Sequence, residues 1–230
     1  MKSIFNRVDD SLTMSRGKII LFALLFFVAA RIACSVVIGI MLQLYNAHGI
    51  DAMAELQFAG NADRMAAEAG NMGGMAAVVL QLMIVAPLLE ECAFRLGLSF
   101  RRWHVAAGAG ALTLFFVSRF CAMPWAAAAG VVAAAAVGTV TTDDMWTACR
   151  QRWLVPAAWV SALLFGAVHM FAMRGLSLTL LPLALMMCLM LSCAGAVFGY
   201  LRINLGFGWG LAAHILNNVP PLIMLLTSAD

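Results

Sequence analysis

Charge is what this sequence has least of. Only 11% of its 230 residues are Asp, Glu, Lys or Arg, against about 25% in an ordinary soluble domain. With 64% hydrophobic residues, that deficit excludes a water-solvated globule. One core of this size cannot enclose so much apolar surface, so lipid is the solvent for most of the chain. The net charge of +3 is small and its basic residues fall in scattered short loops, which excludes a nucleic-acid-binding face. Histidine is scarce, with four in the chain, and no His-Glu-x-x-His occurs. The six cysteines (Cys34, Cys92, Cys121, Cys149, Cys188, Cys193) follow no metal-ligand spacing and lie mostly in apolar runs. They read as small membrane-buried side chains, not as a disulfide framework.

What the chain has in abundance is the long apolar run. About 20 such residues cross a bilayer, and that ruler marks 18–45, 75–100, 103–120, 124–140, 153–171, 176–200 and 207–226. The expectation is an all-α, polytopic transmembrane helical bundle of about seven spans. Residues 1–17 form a cytoplasmic N-terminal segment, and 18–230 form a single membrane domain with a functional core over about 75–226. The first run exceeds the apolar stretch of about 7–15 residues found in signal peptides, so it reads as a retained span. With the N-terminus inside, Lys2, Arg7, Arg16, Lys18, Arg101, Arg102, Arg150, Arg152 and Arg202 lie on the inner side and Arg64, Arg119 and Arg174 on the outer, as the positive-inside bias requires. The sole sizeable polar connection, 46–74, carries Asp51, Glu55, Asp63 and Glu68. Short surface helices are expected there at 53–58 and 64–69.

Against this background, Glu90-Glu91-Cys92-Ala93-Phe94-Arg95 stands out. A carboxylate in hydrocarbon costs roughly 2.5–3.5 kcal/mol on insertion scales, and here two are adjacent. Glu91 and Arg95 are four apart, share a helix face and can pair. Glu90 is rotated about 100° away and has no sequence-local partner. His169 lies on the expected fifth span, and His214 with Asn218, again four apart, on the last. A carboxylate, two imidazoles and a carboxamide make a workable hydrolytic set of base, second base or acid, and oxyanion donors. Such a set requires Glu90, His169, His214 and Asn218 to line one cavity. Taken singly, each residue has a plainer explanation. Glu91–Arg95 alone is a structural ion pair, and a lone intramembrane histidine is an interhelical hydrogen bond. Arg31 pairs with a helix carbonyl, an acidic group or the interface and has no catalytic role. Gln43 is interfacial, Gln81 packs between helices, and His48 and His104 are solvated.

Three motifs then carry a family resemblance: Glu-Glu-x-x-x-Arg at Glu90–Arg95, Phe-x-x-x-His at Phe165–His169, and His-x-x-x-Asn at His214–Asn218. Their order on apolar helices resembles the CAAX protease and bacteriocin-processing (Abi) family of intramembrane proteases, which includes the type II CAAX prenyl endopeptidases, or Ras-converting enzymes. The resemblance covers about 86–220. It implies an intramembrane endopeptidase in which Glu90 activates water, Glu91 and Arg95 support the site, His169 assists, and His214 and Asn218 stabilise the oxyanion. It further implies that no metal is needed; zinc on Glu90, His169 and His214 is the alternative. The implied partners are a membrane-associated protein or peptide substrate and the lipid bilayer, with no nucleic acid. The compact helical membrane design with short loops points to the bacterial cytoplasmic membrane. The competing classes are a non-catalytic scaffold or immunity protein with the same fold, and a proton-coupled transporter using Glu90, His169 and His214 as a relay.

Overall fold

The computed structural model describes residues 14–56, 74–118, 120–173 and 175–227. Every regular element among them is helical. Helix α1 (Arg16–Ala47) is followed by the short α2 (Ala52–Glu55). Helix α3 (Met75–Leu80) continues through a π turn (Gln81–Val85) into α4 (Ala86–Arg95) and a 3-10 turn (Leu96–Ser99). Then come α5 (Arg102–Val117), α6 (Met123–Val140), α7 (Asp143–Val168) with a 3-10 turn (His169–Ala172), α8 (Leu181–Leu205), α9 (Phe207–Asn217) and α10 (Val219–Thr227). Local chemistry sets several starts. Ser15 and Thr142 accept hydrogen bonds from Lys18 and Met145 backbone N–H groups, and proline stands in the first turn of α6 and α8, where no N–H is needed.

Five helical stretches are long and apolar enough to cross a membrane: Arg16–Ala47, Met75–Ser99, Met123–Val140, Leu181–Leu205 and Phe207–Thr227. Two other expected spans have a different character. Helix α5 has 16 residues, which at about 1.5 Å each fall short of a hydrocarbon core of about 30 Å. Helix α7 starts at the Thr142 cap and not at Trp153, so Asp143, Asp144, Arg150 and Arg152 occupy its first half. Of the expected surface helices, the first forms as Ala52–Glu55, with Ala52 and Leu56 buried against Leu180 and Leu183. The 64–69 segment, with Asp63, Glu68, Arg64, Arg119, Arg174, Lys2 and Arg7, lies outside the described residues.

Helix α8 is the central element. Of its most apolar stretch 56% is buried, against 17% for α1, whose Leu21, Leu25, Ile32, Val36 and Ile40 stay exposed. An apolar face this long on a helix suits hydrocarbon, not water. Helices α1, α7 and α9 pack on α8, and α5 packs on α4 and α6. Small residues allow the close crossings. A Cβ on Gly166 of α7 would lie 2.3 Å from the Cys188 carbonyl oxygen and 2.1 Å from Ser192 Oγ. Gly166→Ala is therefore expected to lower stability by about 1–3 kcal/mol in unfolding from detergent micelles. Gly39→Ala, where a Cβ meets nothing within 4 Å, provides the control. A Gly166→Ala variant as stable as that control contradicts the close α7–α8 crossing. All six cysteines are free.

Candidate active site

The site begins with a chain reversal. Gly206 has φ 113°, a conformation open to glycine and strained for other residues, and it turns α9 back along α8. Phe198 and His214 lie equally far from Gly206 on either side. The reversal therefore stacks their rings, with centroids 4.8 Å apart and planes at 16°. Gly210 keeps α9 against α4 and α8: a Cβ there would stand 3.0 Å from the Phe198 carbonyl oxygen and 3.3 Å from Glu91 Oε2.

Helix α4 supplies the charges. Glu91 and Arg95 are fully buried at 0% exposure, and Arg95 Nη1 donates to Glu91 Oε1, as their spacing predicts. His214 Nδ1 meets the same carboxylate oxygen at 2.9 Å. An ionised carboxylate only accepts, so Nδ1 carries the hydrogen. That leaves Nε2 facing the other glutamate, 3.5 Å from Glu90 Oε2. This distance is longer than a good hydrogen bond. A water placed beside the gap can touch both atoms. Glu90 keeps 16% side-chain exposure against 3% for His214, so Glu90 is the accessible member of the set.

Arg95 is covered by rings. Its guanidinium carbon lies 4.2 Å from the Phe165 ring centroid and 5.2 Å from that of Phe198. Its Nε and Nη2 have no hydrogen-bond partner, and the aromatic faces stabilise the charge instead. Gly195 leaves it room, since a Cβ there would lie 3.0 Å from Arg95 Nη2.

No family model, curated protein or solved structure matches this chain. The chemistry therefore rests on the site's own geometry.

Of the four groups expected in one cavity, the structure joins two directly. Glu90 and His214 meet as described. His169 is half-buried, and its Nδ1 lies 2.7 Å from the Phe165 carbonyl oxygen. That bond places the hydrogen on Nδ1 and leaves Nε2 as the acceptor. Phe165 stands between the two histidines, edge-to-face with His169 at 4.9 Å and with His214 at 5.3 Å. Asn218 turns one amide hydrogen to the Leu82 carbonyl oxygen at 3.0 Å, which leaves its second N–H unassigned. The marked clefts lie elsewhere. One of about 340 Å³ between α1, α8 and α9 includes Arg31, Phe198 and Asn217. Another of about 480 Å³ lies between α4, α5 and α7. Neither is lined by Glu90, His169, His214 or Asn218; the groups that do meet form a compact charge stack with Glu90 at its edge.

Among the described residues no three His, Cys, Asp or Glu side chains converge as a metal site, whereas catalytic zinc commonly takes three protein ligands. Several plainer expectations also change. Among the described residues Arg31 pairs not with a helix carbonyl or an acid but with the Asn217 side-chain oxygen at 2.9 Å. Gln81 is exposed, not packed between helices. His104 is half-buried and bonded to Ser99 Oγ at 2.9 Å, because it lies in the first turns of α5 and not in a loop. Phe198 and Pro87 are site components that sequence reasoning missed. The one readable signal among them was Pro87, a proline inside an apolar run three residues before Glu90.

Proposed function

We propose that this protein is an intramembrane endopeptidase of the CAAX protease and bacteriocin-processing type, hydrolysing a peptide bond of a membrane-associated protein or peptide. The observation that carries the reading is His214 set between two glutamates, Nδ1 on buried Glu91 and Nε2 toward accessible Glu90. Glu90 takes a proton from water, and the hydroxide oxygen bonds to the substrate carbonyl carbon. Glu91, fixed by Arg95, holds the His214 ring in orientation and stabilises its protonated form. His214 carries a hydrogen on each ring nitrogen before the water arrives and keeps both through the cycle, and its Nε2–H serves the oxyanion together with the second Asn218 N–H. As the C–N bond breaks, Glu90 returns its proton to the leaving amine. His169, with its free Nε2, assists in placing the water. No acyl-enzyme forms and no step passes through a metal. The chain crosses the membrane about seven times, N-terminus inside, in a bacterial cytoplasmic membrane. Helix α7 and the short α5, around which the bilayer thins to match its length, complete the count.

The test compares protein termini in membranes from cells carrying wild-type protein, no protein, or Glu90→Gln. Termini present only with wild type identify the substrate. If Glu90→Gln restores the deletion phenotype with an unchanged set of termini, the stack is a binding or proton-handling device and hydrolysis is the wrong reading.

A further inference from the structure

Arg31 lies midway along α1, half-buried, and among the described residues no carboxylate bridges to it. A charge at such a depth is costly without a task. Its Nη1 donates to Asn217 Oδ1 at 2.9 Å, Asn217 Nδ2 donates to Asn218 Oδ1 at 3.4 Å, and Asn218 Nδ2 donates to the Leu82 carbonyl oxygen at 3.0 Å. A cation that only donates stands at one end and a carbonyl that only accepts at the other. Both amides therefore have a single workable orientation.

The Leu82 carbonyl is available for a covalent reason. In an α-helix it would accept from Ala86, but Ala86 donates to Gln81, five residues back. In a continued π register it would accept from residue 87, and Pro87 has no N–H. The helix thus leaves Leu82 without an internal donor, and Asn218 supplies one. The π turn inserts an extra residue into the helical register, rotating the downstream helix by about 100° relative to an unbroken α-helix. Glu90 and Glu91 lie just beyond it, so their direction toward α9 depends on the turn persisting.

We infer that Arg31 and Asn217 are positioning residues: through Asn218 they hold the π turn that aims the two glutamates at His214. This rests on the hydrolytic reading for its consequence, though not for its geometry. The test uses the full chain in lipid nanodiscs, with hydrogen exchange read by mass spectrometry for Arg31→Met, Asn217→Ala and Arg31→Lys. Arg31→Met and Asn217→Ala are expected to speed exchange over 80–90 about tenfold, the scale of one lost internal hydrogen bond, and to leave α8 unchanged. Arg31→Lys, which keeps a donor cation, stays near wild type. Formation of Glu90-dependent termini in membranes slows in parallel in the first two variants and recovers in the third. Faster exchange confined to α1, or faster exchange over 80–90 with termini formed at the wild-type rate, overturns the assignment. Should wild type produce no Glu90-dependent termini at all, the hydrolytic reading fails, and the positioning role with it. The exchange data then still decide whether the relay holds the turn.

Discussion

Glu90→Gln is expected to slow peptide hydrolysis by about 10²–10⁴-fold, the usual worth of a positioned general base, with the fold left intact. The two halves of that expectation come from one geometry. Glu90 is the partly exposed carboxylate and touches His214 only at 3.5 Å, so a neutral amide of the same shape strands no buried charge. Glutamine can still hold a water, but it cannot take the water's proton. The loss therefore falls on turnover and not on substrate binding, and unfolding in micelles stays within about 0.5 kcal/mol of wild type, as for a change away from the buried network.

Glu91 and Arg95 should behave in the opposite way. Both are fully buried, they form an ion pair, and His214 Nδ1 shares the Glu91 oxygen at 2.9 Å. Glu91→Ala leaves Arg95 without a counter-charge beneath the Phe165 and Phe198 rings. Arg95→Met leaves Glu91 with the histidine alone. Each is expected to cost about 3–5 kcal/mol, as when one partner of a buried pair is removed. The double change Glu91→Ala with Arg95→Met removes both charges together and should be less damaging than the sum of the single changes. Chemical denaturation of all four proteins checks this. Strict additivity would mean that the pair is not coupled as the geometry requires.

The legible parts of this molecule were local in sequence. The apolar runs follow from composition and length, and the Glu91–Arg95 pair from a four-residue spacing that holds in any helix. What was not legible depended on chain reversal or backbone accounting. The meeting of His214 with both glutamates needs Gly206 to fold α9 back on α8, and no spacing encodes that distance. Arg31 finds a neutral amide on a helix remote in sequence, so a search for acids or carbonyls passes over it. The early start of α7 follows from the Thr142 cap, to which a hydropathy ruler is blind, and the ruler likewise overextends α5. The π turn follows from the missing N–H of Pro87, yet which carbonyl it strands, and that Asn218 meets it, appears only once the end of α9 is placed against the π turn.

The most direct measurement is the rate at which wild-type and Glu90→Gln proteins, reconstituted in proteoliposomes, cleave a substrate identified from membrane termini, in water enriched in oxygen-18. The account predicts cleavage by wild type with one solvent oxygen in the new carboxylate, and a Glu90→Gln rate lower by at least about 100-fold at unchanged stability. A Glu90→Gln protein that turns over within about tenfold of wild type would contradict it.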